Sequence, residues 1–341
     1  MRSSLAPRVL SLVVVLASAC GDDGAPAGDD ATTGPGHDGT DGGPTDIDES
    51  GSASDGSTAD PPDTATTDDT SPELCVEPLQ AECIPLRGVI SPDQLELFLG
   101  SDDLMLVDTR IAPAFETSHL PGAVPIDPTA LRANVDGVAG QVAPEPEARA
   151  VLEAAGLTPE LAVVVYGADN GTDPARVLWT LAYYGHQGPL WMLDGGFDPW
   201  AAQGRPTVTE PTPLVPSRYA TAIDDGLRVD QQWVLDHLDD PGVTLVDARS
   251  MGEYDGGHIP GALSVDWTRN LADGGRFLPL PELLALYGEP PAGQTLVTYC
   301  QTGSRASVDW LALAWLGYAD VRLYDGSWSE WSADPSNPVE P

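Results

Sequence analysis

From about residue 86 onward, short apolar runs alternate with polar loops and longer helical patterns. Leu104-Met105-Leu106-Val107 and Val243-Thr244-Leu245-Val246 are compact apolar runs suited to central strands, as are Val163-Val164-Val165-Tyr166 and Leu296-Val297-Thr298-Tyr299. Ala175 to Tyr184 and Ser307 to Leu316 carry helical patterns, each stopped by a glycine, Gly185 and Gly317. Strand, loop and helix in repeated alternation predict an α/β layer fold with a mostly parallel sheet, whose sites gather beyond the strand C-termini.

The pattern occurs twice. Asp108-Thr109-Arg110 returns as Asp247-Ala248-Arg249, and Ser118-His119-Leu120-Pro121-Gly122-Ala123 returns as Gly257-His258-Ile259-Pro260-Gly261-Ala262, both 139 residues later. The Val163–Tyr166 run matches Leu296–Tyr299 at an offset of 133, and Leu193-Asp194-Gly195-Gly196-Phe197-Asp198-Pro199-Trp200 matches Tyr324-Asp325-Gly326-Ser327-Trp328-Ser329-Glu330-Trp331 at 131. Blocks that recur in one order with nearly constant spacing define a duplicated domain.

The N-terminal region has a different pattern. Met1-Arg2-Ser3-Ser4 and Arg8 precede the apolar run Val9 to Ala19, which stops at Cys20 and Gly21. This has the form of a secretory signal over residues 1–20. Small residues before a cysteine resemble the bacterial lipobox, in which that cysteine is lipidated; Ala17 departs from the usual leucine. Cys20 is therefore the expected lipidation site, acyl groups there would hold the chain to a membrane surface, and the rest is expected outside the cytoplasm. Residues 21–73 are mostly Asp, Gly, Thr, Ser, Pro and Ala with almost no large apolar side chain, which predicts an acidic flexible tether.

Charge narrows the partners. The net charge is −38, of which −15 falls in residues 21–73 and −25 in residues 74–341, and all 15 basic residues are arginine. Such a surface is a poor match for nucleic acid, which is bound through clustered positive charge. An anionic substrate needs a local positive pocket working against this field.

Of four cysteines, Cys75 and Cys83 flank a short segment at the end of the tether, where an oxidising compartment favours a disulfide over a metal site. Cys300 differs in context. It ends an apolar strand and is followed at once by Gln301-Thr302-Gly303-Ser304-Arg305 and a helix. A thiol at that position faces unpaired N–H groups and the positive end of the helix dipole, which stabilise a thiolate.

DxR, GHIPGA, a strand ending in Tyr-Cys and DGSWSEW, in that order over about residues 86–334, resemble the tandem rhodanese family of thiosulfate and 3-mercaptopyruvate sulfurtransferases. The resemblance implies two tandem rhodanese-like domains, each a mostly parallel sheet flanked by helices, at 86–208 and 218–334. The second would carry sulfur. The first has Tyr166-Gly167 where the second has Tyr299-Cys300, so it would be silent and would wall the cleft.

On this reading Cys300 attacks the outer sulfur of a small anionic donor and passes it to a thiophilic acceptor such as cyanide or a thiol. The amides of Gln301, Thr302, Gly303, Ser304 and Arg305 would cradle the developing charge, with no metal or organic cofactor required. Arg305 would bind the donor or pair with a carboxylate such as Asp247. Arg249 is similar to the DxR arginine that contacts substrate in the family, with a buried pair to Asp247 or Glu253 as its alternative.

His119 and His258 are expected to serve the fold, and Trp328 and Trp331 to pack. The Cys-x4-Arg spacing is one residue shorter than the Cys-x5-Arg cradle of cysteine phosphatases and suits sulfur over a phosphoryl group. No arginine lies between Arg249 and His258, where mercaptopyruvate enzymes usually carry one, so thiosulfate is the favoured donor. The alternatives are 3-mercaptopyruvate as donor and a non-catalytic sulfur-carrying or sensing surface protein. A monomer is expected.

Overall fold

A computed structural model describes residues 86–169, 171–272, 275–289 and 293–341. The readings on residues 1–20, on the tether and on Cys20, Cys75 and Cys83 lie outside the described residues. The first half runs β1 (Arg87–Ile90), α1 (Pro92–Glu96), β2 (Leu104–Asp108), α2 (Ala112–Thr117), β3 (Ala123–Pro125), β4 (Arg132–Val135), β5 (Val138–Val142), α3 (Glu145–Ala154), β6 (Ala162–Tyr166), α4 (Thr172–Tyr183), β7 (Leu190–Leu193) and α5 (Phe197–Ala202). The second runs β8 (Arg228–Val229), α6 (Gln231–Asp236), β9 (Val243–Asp247), α7 (Met251–Tyr254), β10 (Leu263–Ser264), α8 (Leu280–Tyr287), β11 (Thr295–Tyr299), α9 (Ala306–Trp315), β12 (Asp320–Tyr324) and α10 (Ser327–Trp331).

Each half builds a five-stranded sheet of the same order, β1-β7-β6-β2-β3 and β8-β12-β11-β9-β10, with every pairing parallel. The two halves are thus the expected pair of α/β domains. The apolar runs lie in the sheet middle: Tyr166 aligns with Asp108, and Tyr299 with Asp247. In both halves the tyrosine hydroxyl accepts a backbone N–H from the HxPGA turn, Leu120 in one and Ile259 in the other, at 3.2 Å.

Both central helices end as their glycines require. Gly185 and Gly317 adopt φ of +76° and +88°, a left-handed conformation that terminates a helix without a Cβ clash. Helix α4 begins three residues before the apolar pattern because Pro174, in its first turn, needs no N–H partner there. Its face of Leu178, Trp179 and Ala182 joins Val308, Trp310 and Leu311 of α9 in one core shared by both halves. A smaller apolar cluster covers the outer face of each sheet. At Gly88 of β1 an added Cβ would stand 2.5 Å from the Trp315 ring of α9, so the halves touch as closely as elements within one domain.

The antiparallel hairpin β4–β5 was not anticipated from the pattern. It turns through Asp136 and Gly137, at φ of +53° and +89°, as a two-residue turn with both central residues left-handed. Among the described residues no helix is long and apolar enough to cross a membrane.

Candidate active site

Strand β11 delivers Cys300 to the sheet's C-terminal edge, where the residue is almost fully buried. Its backbone is fastened to the turn before α10: the Cys300 N–H donates to Ser327 Oγ at 3.2 Å, and the Cys300 carbonyl accepts from Trp328 N at 3.0 Å. Ser327 in turn donates to the Tyr324 carbonyl at 2.8 Å. It does so from a left-handed backbone, φ +53°, which costs a residue with a side chain about 1–3 kcal/mol. The matching residue of the first half is Gly196, φ +68°, where the conformation is cheap. A serine kept in a glycine conformation beside the cysteine marks Ser327 as part of the site. Only the Gly-Gly to Gly-Ser change between the repeats signalled it in the sequence.

The loop then curls over the sulfur. Gly303 N–H donates to Cys300 Sγ at 3.1 Å, and Ser307 Oγ holds the Gly303 carbonyl at 3.0 Å. Gln301 is tied to Ser329 by its side-chain amide at 3.0 Å and by its carbonyl at 3.1 Å. Thr302 packs on the hairpin of the other half, its carbonyl oxygen lying 3.2 Å from where a Cβ on Gly140 would be. Ser304 accepts the Ser307 N–H and opens the first turn of α9. With the ten-residue helix directed at the loop, an anion here meets backbone N–H groups and the positive dipole end.

The arginines divide into two kinds. Arg305 forms a two-pronged ion pair, Nη1 to Glu253 Oε2 at 2.7 Å and Nη2 to Oε1 at 2.8 Å, so its carboxylate partner is Glu253 and not Asp247. This pair holds the Glu253 carboxyl down at about 2, the Arg305 hydrogen bond being the main cause. Arg305 is raised above the ordinary arginine value, first by Glu253 and then, against burial, by the nearby Cys300 sulfur.

Arg249 is buried. Its Nε lies 3.0 Å from both Asp247 oxygens, its Nη2 reaches Asp247 Oδ2 at 2.6 Å and the Gly257 carbonyl at 2.8 Å, and Trp328 stacks on its guanidinium. The first half repeats this arrangement at Arg110, paired to Asp108 and to the Ser118 carbonyl at 2.6 Å. The same geometry recurs where there is no thiol, so the buried Arg249–Asp247 pair, the alternative offered by the sequence, belongs to the fold.

The histidines are also structural. Each ring stacks on an aromatic four residues earlier, Phe115 at 3.9 Å and Tyr254 at 3.6 Å, with Nδ1 against that residue's carbonyl. Each backbone pairs with a returning strand residue, His119 with Val208 and His258 with Glu340. Trp331 is buried, with Nε1 on the Pro338 carbonyl at 3.0 Å.

The first half supplies residues that the sequence alone did not place here. Buried Asp325, just before Ser327, accepts from Arg176 Nη2 at 2.6 Å and from the Val142 N–H at 2.8 Å, both of the first half, and Arg228 Nε approaches it at 3.3 Å. Two arginines and one aspartate leave one net positive charge beneath the loop. Arg176 Nη1 would be 2.8 Å from a Cβ on Gly303, whose φ is +85°, so any side chain there would be strained and would strike the guanidinium. The reverse contact exists too: Phe277 N–H of the second half donates to Asp194 of the first at 2.9 Å. No group of three or more His, Cys, Asp or Glu suited to a metal occurs among the described residues.

The model of the rhodanese-like domain matches residues 91–203 and 230–334, and the chain belongs to that family. Over 277 residues it is 35% identical to a probable 3-mercaptopyruvate sulfurtransferase of Pseudomonas aeruginosa, covering 74% of this chain and 97% of that protein. It is 32% identical over 264 residues to a thiosulfate sulfurtransferase of Azotobacter vinelandii, covering 74% and 96%, and 34% identical over 242 residues to the sulfur carrier protein TtuD of Thermus thermophilus, covering 64% and 83%. The solved structure of wild-type EanB shares the fold, with a TM-score of 0.66 at 22% identity over 74% of this chain and 68% of that one. The named relatives support sulfurtransferase activity as the class.

Proposed function

We propose that the protein moves a sulfane sulfur from thiosulfate to cyanide or a thiol through a persulfide on Cys300. The Cys300 thiolate attacks the outer sulfur of thiosulfate; the S–S bond breaks, sulfite leaves with the electron pair, and Cys300 carries a persulfide. The acceptor then attacks the terminal sulfur, and the cysteine leaves again as thiolate. Cyanide becomes thiocyanate. The Gly303 N–H and the start of α9 stabilise negative charge on sulfur in both steps, and Arg305 attracts the donor's anionic end.

One observation carries this reading: of two loops on matching strands, only the second has a thiol, and a loop N–H is already aimed at its sulfur at 3.1 Å. The full-length chain should form thiocyanate from thiosulfate and cyanide, and Cys300→Ser should not. Equal rates in the two would sink the mechanism. The 35% identical relative favours 3-mercaptopyruvate as a second reading of the donor, and the sulfur carrier relative favours loading without rapid turnover. Comparing the two donors, and comparing loading with turnover, separates these.

The same proposal places the domains outside the cytoplasm, with Cys20 lipidated and left as the N-terminus by removal of residues 1–19, and with Cys75 bonded to Cys83. It rests on the lipobox-like run and the acidic tether. Cys20→Ala should move the protein out of the membrane fraction; unchanged fractionation overturns the anchor.

A further inference from the structure

We propose that Glu253 is an anion latch on Arg305: a donor must displace this carboxylate from the loop arginine, and Glu253 thereby sets how strongly anionic a bound donor has to be. The inference rests on Cys300 being the sulfur-accepting thiol and deepens that reading by assigning selectivity to a residue outside the loop.

The pair is built to exchange. Both oxygens of Glu253 lie on the two terminal nitrogens of Arg305, at 2.7 and 2.8 Å, which is the face a donor's sulfonate or carboxylate would use. The side chains of Arg305 and Glu253 remain 25% and 37% exposed, whereas those of the Arg249–Asp247 pair are 2% and 0% exposed. Ion pairs open to water are weak and give way to a better anion; the buried pair does not.

Glu253 also has somewhere else to rest. Its Oε2 accepts from the Ser250 N–H at 3.1 Å and from Ser250 Oγ at 2.7 Å, the capping box of α7, so turning away from Arg305 leaves it hydrogen-bonded. Its carboxyl, held down at about 2 by Arg305, stays ionised throughout the neutral range, and Arg305 is therefore always contested there. A dianion such as thiosulfate competes for the arginine better than a monocarboxylate does, because its Coulomb attraction is larger.

The repeat supplies a control. At the positions of Ser250 and Glu253, 139 residues earlier, the first half has Ile111 and Ala114, and between Gly167 and Asp173 it has no arginine. Thiol, loop arginine, carboxylate and capping serine are absent from that half together, while the structural Asp–Arg pair and the histidine are present in both. A carboxylate needed only to start a short helix would have no reason to follow the cysteine.

The test uses full-length protein and two reagents of similar size that differ in charge, iodoacetate and iodoacetamide, with modification of Cys300 followed by intact mass. Glu253→Gln keeps the capping box, since glutamine serves at that position, and removes the charge. The ratio of the iodoacetate rate to the iodoacetamide rate should rise about two- to fivefold, the range expected for an exposed ion pair. The KM for thiosulfate should fall by a similar factor, with the effect in KM and not in kcat. Arg305→Gln should lower the ratio, and adding Glu253→Gln to it should change nothing further.

An unchanged ratio in Glu253→Gln overturns the latch, and so does a rise that persists without Arg305, which would be a general field effect. Absence of thiocyanate formation from wild type would overturn the thiosulfate-to-cyanide reading, while the alkylation ratio still decides the latch. Failure of both reagents to modify Cys300 would overturn the loop as an anion-accepting site and the latch with it.

Discussion

The loop after β6 and the loop after β11 leave their strands in the same register and differ in nearly every group that touches the tip. Each strand ends in a tyrosine whose hydroxyl takes an HxPGA amide, and each lies beside an aspartate paired to the arginine two residues on. Past the tyrosine the similarity stops: Gly167 stands for Cys300, Gly196 for Ser327, Ala114 for Glu253. Two copies of one fold in one chain thus sort residues without reference to any other protein. What both copies keep is scaffold, and what one copy keeps alone is candidate chemistry.

The largest effect on this comparison should come from Arg176, which belongs to the copy without the thiol and serves the other. Arg176→Met leaves the buried Asp325 carboxylate short of its main partner, and breaking such a pair costs about 3–5 kcal/mol. Thermal unfolding should show a markedly lower midpoint, and thiocyanate formation should fall with it. Wild-type values for both would mean that the halves are independent.

Ser327 gives a smaller and more discriminating effect. Ser327→Ala leaves the buried Cys300 N–H without its acceptor, a loss of about 1–3 kcal/mol in urea unfolding. Ser327→Gly loses the same acceptor but relieves the left-handed backbone, so it should be more stable than the alanine variant by about 1 kcal/mol. If the two variants unfold alike, the serine backbone is unstrained and the contrast with Gly196 loses its meaning.

The smallest effect should come from placing a thiol in the first copy. At Gly167 a Cβ would meet its nearest neighbours at 3.3–3.4 Å, so cysteine fits with slight adjustment. Gly167→Cys should still gain one sulfur atom, not two, on incubation with thiosulfate as read by intact mass, because the arginine and the serine hydroxyl are missing around it. Two added sulfurs would show that the thiol alone makes the site.

Much of this arrangement was legible in sequence because duplication prints the pattern twice. The central strands, the stops at Gly185 and Gly317 and the position of Cys300 all follow from local apolar runs and glycine placement. The β4–β5 hairpin is not legible from the apolar pattern, although Val135-Asp136-Gly137-Val138 carries its turn signal, because β4 offers only Ala133 and Val135, and the apolar residues of β5, Val138, Ala139 and Val142, do not alternate cleanly with polar ones. Arg176 and Asp325 are 149 residues apart, and no spacing rule joins them; only packing of α4 against α9 does. For Arg305 the sequence offered a carboxylate partner in the right class but the wrong residue, since Asp247 is already taken by Arg249 in β9's own corner.

The reciprocal amide contacts, Val142 to Asp325 and Phe277 to Asp194, are what a twofold interface looks like when both partners lie on one chain. In a homodimer a substitution falls on both subunits at once, and the two sites must stay alike. A fused pair is free of that rule. One half can lack the thiol and still present its hairpin and its arginine, so the molecule behaves as an asymmetric dimer that never dissociates, and dilution cannot separate the cysteine from the floor it stands on.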